Sequence, residues 1–201
     1  MEVVNNNILI AAADCTGHGV PGAMVSVVCS NALNRSVFEF GNTEPGKILD
    51  KARELVLETF SKSDTDVKDG MDISLACINK ATREIKWAGA NNPFWYTCNG
   101  EMKDLKANKQ PIGKTETPTP FTTHNIKLEK GDTIFMLTDG CADQFGGDKG
   151  KKFKYKPLKD MLLHNVQLPM GNQLEELESA FITWKSNLEQ VDDVCVIGVR
   201  L

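Results

Sequence analysis

The chain has 201 residues, of which 23 are lysine or arginine and 27 are aspartate or glutamate, so its formal net charge at pH 7 is −4. This length is typical of one domain whose core needs no disulfide, and the acidic balance excludes a chain-wide positive field for nucleic acid or anionic lipid. The first residues lack the pattern of a signal peptide, and no apolar stretch reaches the roughly 18 residues that a membrane span needs.

The first predicted elements are a strand and two helices. Residues 7–14 read NILIAAAD, a continuous apolar run that ends in Asp14 and has the pattern of a buried strand. A glycine-rich turn follows, and between residues 20 and 38 the apolar residues recur at helical spacing. Residues 43–60 show the same spacing after an early proline, which predicts a second helix.

The middle of the chain alternates between apolar and polar residues. MDISLACIN, EIKWAGA and FWYTCNGEMKDL predict successive antiparallel strands, with a hairpin turn at Asn99-Gly100. FTTHNIKLEKGDTIFMLTDG predicts two more strands and contains Asp139 directly after the second. Helices at about 157–165 and 171–187 precede a last strand, DDVCVIGVRL. This order predicts an α+β fold in which helices cover antiparallel sheets.

Aspartates stand where three of the apolar runs begin or end. Asp14 follows ILIAAA, Asp139 follows TIFMLT, and Asp192, with Asp193, precedes VCVIGV. Strand ends of one sheet can converge, and carboxylates gathered there repel one another unless a cation lies between them. Because no cysteine and histidine cluster offers softer ligands, the pattern indicates an all-oxygen site for magnesium or manganese.

Ions in such a site would supply hydrolytic chemistry without a nucleophilic side chain. They polarise a phosphoryl oxygen and lower the pKa of a bound water, which gives hydroxide near neutral pH. Each aspartate alone also has a structural interpretation, since Asp-Gly is a common turn dipeptide and aspartate often caps a helix or ends a strand. On the residues alone, both interpretations stay open.

The stretch GHGVPG, residues 17–22, suggests a different site because it matches the GxGxxG pattern of a dinucleotide-binding turn. Glu39 is a candidate for the acid that this motif places about 20 residues further on. However, three residues separate the strand from the first glycine, and Asp14 would bring negative charge toward a pyrophosphate. The later sequence predicts hairpins rather than alternating β and α units, which disfavours the dinucleotide site.

The six cysteines lie scattered through apolar runs and include no CxxC pair. Their spacing predicts neither a disulfide framework nor a zinc finger. We expect most of them to be small buried side chains in a reducing compartment, and therefore a cytoplasmic protein.

Several blocks of the sequence closely resemble one family: ADCTGHGVPGAMVS, GMDISLACIN, WAGANNPFWY, KQPIG, GDTIFMLTDGCADQFGG and DDVCVIGV. In this order they are similar to the SpoIIE/RsbU-like branch of the PPM (metal-dependent, type 2C) protein serine/threonine phosphatases. The resemblance covers nearly the whole chain. It implies one domain over residues 1–201, a sandwich of two antiparallel β-sheets flanked by helices (α-β-β-α), and a two-metal site between the sheets.

The same resemblance implies the roles of the acidic residues. Asp14 would bridge two Mn²⁺ or Mg²⁺ ions, and the backbone carbonyl of Cys15 would add a ligand. Asp139 and Asp192 would hold the core ion, which makes these two and Asp14 the expected catalytic residues. Asp143 resembles the position that holds a weaker third ion in some members.

Neighbouring residues are expected to support this site. Asp193 would support Asp192 from outside the ligand set, and Gly17 would permit a tight turn and a close backbone approach beside the ions. Family members also carry an acid in a GGDF-like motif on the preceding strand, and the sequence begins too late to contain it. We therefore expect the domain to lack its N-terminal strand and to hold the second ion less securely.

The implied function is metal-dependent hydrolysis of phosphoserine or phosphothreonine, by metal-activated water, on a regulatory partner protein. The resemblance suggests an anti-sigma-factor antagonist as the partner and an upstream sensor or regulatory domain, with no role for nucleic acid. The basic run GGDKGKKFKYK (146–156) is either a solvated loop or a flap that attracts an acidic phosphoprotein. The alternative function is a catalytically weak or inactive module that binds a phosphoprotein in signalling.

Overall fold

The computed structural model, which describes residues 1–61 and 69–201, places two antiparallel β-sheets face to face with helices on both outer sides. The helices are α1 (Gly19–Phe38), α2 (Pro45–Phe60), α3 (Gly140–Asp143), α4 (Tyr155–His164) and α5 (Met170–Lys185). The strands are β1 (Glu2–Val4), β2 (Asn7–Cys15), β3 (Met71–Asn79), β4 (Glu84–Ala90), β5 (Phe94–Cys98), β6 (Glu101–Leu105), β7 (His124–Lys127), β8 (Thr133–Leu137), β9 (Phe145–Gly146), β10 (Lys151–Lys152) and β11 (Val196–Arg200).

The order of the strands in each sheet determines which strand ends lie next to each other. The first sheet has the order β1-β2-β3-β4-β7, and the second has the order β11-β8-β5-β6. In the first sheet Asp14 of β2 pairs with Asp72 of β3, and in the second Leu137 of β8 pairs with Val196 of β11. The strands β9 and β10 form a small separate hairpin.

The buried apolar residues form three layers, one between the two sheets and one between each sheet and its helices. Helices α1 and α2 pack their buried faces against the first sheet, around residues such as Leu49 and Val56. The layer between the sheets contains Trp87 and Phe94, and the layer beneath α4 contains Trp95. The predicted α-β-β-α sandwich is confirmed.

The predicted helices are also confirmed, and their ends lie no more than two residues from the expected positions. The last strand begins at Val196, four residues after Asp192, and the sequence does not predict the short elements β1, α3, β9 and β10. The hairpin turn at Asn99-Gly100 has φ angles of 52° and 76°, which is the left-handed geometry that an Asn-Gly turn favours. The helix expected from residue 43 begins at Pro45, because proline fits the first turn of a helix. No helix among the described residues is long and apolar enough to cross a membrane.

One buried polar link fixes the layer between the sheets. Trp87 is fully buried, and its indole Nε1 donates a hydrogen bond to Ser74 Oγ at 2.8 Å. That hydroxyl in turn donates to the carbonyl of Pro93 at 3.1 Å. The link therefore ties β3 and β4 to the start of β5.

We expect Ser74→Ala to lower the free energy of unfolding by about 1–3 kcal/mol, because it leaves the buried indole N–H without its acceptor. Urea unfolding followed by tryptophan fluorescence measures this change. Ser30→Ala, on the exposed side of α1, is the matched control and should change the stability little. Equal stability of Ser74→Ala and the wild type would contradict the structural role of the link.

Candidate metal centre

Three carboxylates from distant parts of the chain meet at one end of the sandwich. Asp14 lies in β2, Asp139 stands between β8 and α3, and Asp192 lies in the loop before β11. Oxygen atoms of the three side chains all lie within 4.8 Å of one another. Asp14 and Asp139 are half-buried and Asp192 is exposed. The site therefore has the spacing at which carboxylates share a metal ion.

Two hydrogen bonds to the residue before β3 fix the turn that follows β2. The amide of Thr16 donates to the carbonyl of Gly70 at 3.0 Å, and the amide of Gly70 donates back to Thr16 Oγ1 at 3.0 Å. Gly17 has a φ of +89°, and a Cβ built on Gly22 would lie 2.6 Å from the carbonyl oxygen of Gly17. Both glycines are therefore required by the tight turn, as the sequence predicted for Gly17.

Asp139 and Asp192 are brought together by their flanking residues. The Thr138 hydroxyl donates to the carbonyl of Asp193 at 3.2 Å and accepts from the amide of Cys195 at 3.0 Å. A Cβ built on Gly140 would lie 2.3 Å from the carbonyl oxygen of Asp193. A glycine directly after Asp139 is therefore what allows the two segments to touch.

Burial and mutual repulsion both disfavour the ionised form of the carboxylates in this cluster. Burial, reinforced by Asp192, Asp139, Asp193 and Asp72, raises the pKa of Asp14 to about 6. Burial and then Asp192 raise the pKa of Asp139. None of the ion pairs among residues 1–61 and 69–201 includes a carboxylate of the cluster. A hard divalent ion, which prefers oxygen ligands, fits these donors.

The cluster opens onto a cleft of about 630 Å³. His18 and Asp72 line the cleft with the three aspartates and the loop before β11. A second cavity of about 770 Å³ lies between α1 and β2 and also reaches Asp14. A phosphorylated side chain can therefore approach the carboxylates from solvent.

Other residues proposed from the sequence lie near the cluster but in different surroundings. Asp143 follows Asp139 by one helical turn, and its Oδ2 accepts a hydrogen bond from Lys152 Nζ at 2.7 Å. The amide of Asp193 donates to Asp192 Oδ1 at 2.8 Å, so the main chain of Asp193 supports that carboxylate. The Cys15 thiol contacts Cys29 under α1, while its main chain belongs to the end of β2.

Asp72 is not among the acids that the sequence predicts for the metal site, and the structure places it in the wall of the cleft. It pairs with Asp14 across the two strands, and Asn91 Nδ2 donates to its Oδ1 at 2.8 Å. Burial raises the pKa of Asp72, and Asp139 adds to that shift. Only the register of β2 against β3 brings the two acids together, and a single sequence does not specify that register.

Tyr155, at the start of α4, was also missed. Its ring contacts Trp95 edge-on, with ring centres 5.7 Å apart. Burial raises the pKa of Tyr155 to about 12, and Asp139 and Asp143 contribute to the shift. The phenol therefore keeps its proton at neutral pH.

The dinucleotide interpretation of GHGVPG is not supported by the sheet. A dinucleotide-binding turn joins a strand to a helix that leads into a parallel strand. Here β2 pairs antiparallel with both of its neighbours, β1 and β3. The glycines instead shape the turn between Asp14 and α1.

Comparisons with known proteins agree with this geometry. The sequence profile of the family described as Stage II sporulation protein E (SpoIIE) matches residues 5–201. No curated protein sequence gives a significant match.

Solved structures share the fold. The SiaA PP2C domain of Pseudomonas aeruginosa has 26% identity and a TM-score of 0.89, covering 100% of this chain and 78% of its own. The PP2C phosphatase domain of SpoIIE from Bacillus subtilis, with a fragment of its regulatory domain, has 17% identity, a TM-score of 0.72 and coverages of 100% and 55%. RsbX in complex with magnesium has 18% identity, a TM-score of 0.64 and coverages of 98% and 83%.

We expect Asp14→Asn to stabilise the metal-free protein at pH 7. The pKa of Asp14 in the folded protein, about 6, lies above the ordinary aspartate value of 3.8, so the native state binds the extra proton and loses stability as pH rises between these two values. After allowance for solvent screening, the gain is of the order of 1 kcal/mol, or roughly 2–4 °C in Tm.

Thermal unfolding in excess chelator at pH 4 and pH 7 measures this difference. The stabilisation should shrink at pH 4, because Asp14 of the folded protein then holds its proton and carries no charge. Asp160→Asn, an exposed aspartate of α4 paired with Lys156, is the control and should show no such pH dependence. A destabilised Asp14→Asn protein at pH 7 would mean that the carboxylates do not strain the fold.

Proposed function

The chain belongs to the SpoIIE family of PPM-type phosphoprotein phosphatases, and on that basis we propose that it hydrolyses phosphoserine or phosphothreonine in a regulatory partner protein. The observation that supports this proposal most directly is the group formed by Asp14, Asp139 and Asp192, whose oxygens lie within 4.8 Å of one another. Such a group supplies the negative charge and the oxygen ligands that divalent ions require.

The proposed cofactors are two Mn²⁺ or Mg²⁺ ions. When bound, such ions lower the pKa of a water to near neutrality and withdraw charge from a phosphoryl oxygen. Asp139 and Asp192 would hold the core ion, Asp14 would contact both ions, and the carbonyl of Cys15 would add a ligand. Asp143, which pairs with Lys152, would join only a weaker third ion. The magnesium in the similar RsbX structure supports a metal of this class.

The residues around the carboxylates have separate tasks in this proposal. The glycine turn at Gly17 keeps side chains away from the cleft, so that a phosphate can approach the main chain. The side-chain amide of Asn91 donates a hydrogen bond to Asp72 and so holds this carboxylate in the wall of the cleft. The carboxylates accept hydrogen bonds from the attacking water, so no serine or cysteine nucleophile is required.

We also propose that residues 1–201 form one phosphatase domain that acts in the cytoplasm. The six cysteines are all free thiols, which agrees with a reducing compartment. The similar B. subtilis structure includes a fragment of a regulatory domain, which supports control by an upstream sensor. A further acid on the strand that precedes β2, as the family resemblance implies, would complete the ligands of the second ion.

A basic hairpin beside the carboxylates supports an acidic phosphoprotein as substrate. This hairpin, built from β9 and β10, carries exposed Lys149 and Lys151, which form no ion pair within the described part of the chain. Lys152 binds Asp143, so the hairpin stands directly beside α3. Charge of this kind accelerates and orients association with an acidic partner. An anti-sigma-factor antagonist is the partner class that we propose.

Removal of one proposed metal ligand tests whether the protein is a metal-dependent phosphatase. We expect Asp139→Asn to reduce Mn²⁺-dependent hydrolysis of p-nitrophenyl phosphate by at least about 100-fold, because the core ion loses a charged ligand. Chelator should abolish the wild-type rate, and Asp160→Asn on α4 should leave it unchanged. If the wild type is no more active than Asp139→Asn at millimolar Mn²⁺, the protein is instead a binding module for phosphoproteins.

The basic hairpin has its own test. We expect Lys149→Glu with Lys151→Glu to raise KM for an acidic phosphopeptide by about 5–10-fold at low salt, while kcat and the constants for p-nitrophenyl phosphate stay unchanged. The control pair is Lys127→Glu with Lys130→Glu, since β7 pairs with the end of β4 farthest from the cleft. An equal effect of both pairs would assign the change to net charge and not to the hairpin.

A further inference from the structure

Gln144 is a fully buried polar residue for which the proposed chemistry has no use. It directly follows α3, the short helix that begins after Asp139. Its own main-chain carbonyl accepts hydrogen bonds from the amide of Phe153 and from Trp184 Nε1, both at 3.0 Å. The position of Gln144 is therefore fixed independently of its side chain.

The side chain of Gln144 joins two separate segments. Its Nε2 donates to the carbonyls of Phe145 and Glu189, each at 2.9 Å. Its Oε1 accepts from the amide of Val191 at 3.3 Å. The amide group thus links the end of α3 to the main chain immediately before Asp192.

The loop that carries Asp192 needs such links because it has little else to order it. Residues 186–195 lie outside regular secondary structure, and nearly all of them are exposed, so apolar burial contributes little. Two buried side chains bind its main chain on either side of Asp192: Gln144 at Glu189 and Val191, and Thr138 beyond it. Thr138 lines the second cavity, whereas Gln144 lines neither cavity.

We propose that Gln144 is a positioning residue of the metal site, which sets the place of Asp192 relative to Asp139 by holding the main chain at Glu189 and Val191. This inference rests on the proposed function, because it takes Asp192 as a metal ligand. Residues that orient ligands without touching the ion typically change metal affinity or activity by about 10–100-fold when substituted. Here the effect falls on metal affinity, because Gln144 is fully buried and does not line the cleft.

The test uses two variants and a matched control. Gln144→Met keeps the length of the side chain without its polar atoms, and Gln144→Glu keeps the shape without the two donors. The control is Gln173→Met, since Gln173 is also buried and donates to the carbonyls of Val166 and Leu168, away from the cleft. Mn²⁺ binding is followed by the EPR signal of the free ion, and hydrolysis of p-nitrophenyl phosphate is followed against Mn²⁺ concentration.

We expect both Gln144 variants to bind Mn²⁺ about 10–100-fold more weakly, with kcat at saturating Mn²⁺ within a few-fold of the wild type. Gln173→Met should unfold at a lower temperature but bind Mn²⁺ normally. Unchanged Mn²⁺ binding in the Gln144 variants, an equal shift in Gln173→Met, or unfolding of both Gln144 variants would overturn the positioning role.

The EPR arm separates this inference from the proposed function. If the wild type binds Mn²⁺ but hydrolyses no phosphate ester, the proposed function fails, and the difference in Mn²⁺ affinity still decides the role of Gln144. If the wild type binds no Mn²⁺, or if Asp192→Asn binds it normally, Asp192 is not a ligand and the inference about Gln144 is overturned.

Discussion

The repulsion among Asp14, Asp139 and Asp192 is the interaction on which the rest of the site depends. Three carboxylates whose oxygens lie within 4.8 Å of one another favour separation unless protons or a cation compensate their charge. The fold holds them together all the same. Burial raises the pKa of Asp14, and the neighbouring carboxylates raise it further. A site of this kind lowers the stability of the metal-free protein, and the same concentration of negative charge increases its affinity for divalent ions.

The sandwich supplies the rigidity that this repulsion requires. Asp14 is fixed by the pairing of β2 with β3, and the segments of Asp139 and Asp192 are fixed by the pairing of β8 with β11. Gly140 lets these last two segments touch, because any side chain there would collide with the carbonyl of Asp193. The exposed loop before β11 depends on hydrogen bonds from buried side chains rather than on packing.

Much of this arrangement could be predicted from the sequence, because it follows from local patterns. Alternating residues specified the antiparallel strands, Asn99-Gly100 specified a hairpin, and the apolar runs that end or begin at Asp14, Asp139 and Asp192 pointed to a shared site. Asp72 was missed because its place depends on strand register, which alternation alone does not determine. Gln144 carried no signal at all, since its role depends on a loop that folds back from residues more than 40 positions later.

Anomalous diffraction from crystals soaked in Mn²⁺, measured at the manganese absorption edge, tests the central claim most directly. The account requires anomalous peaks between the carboxylates of Asp14, Asp139 and Asp192, with ligand distances typical of manganese and oxygen. Peaks only at other acidic surfaces, with these three carboxylates free of metal, would contradict it.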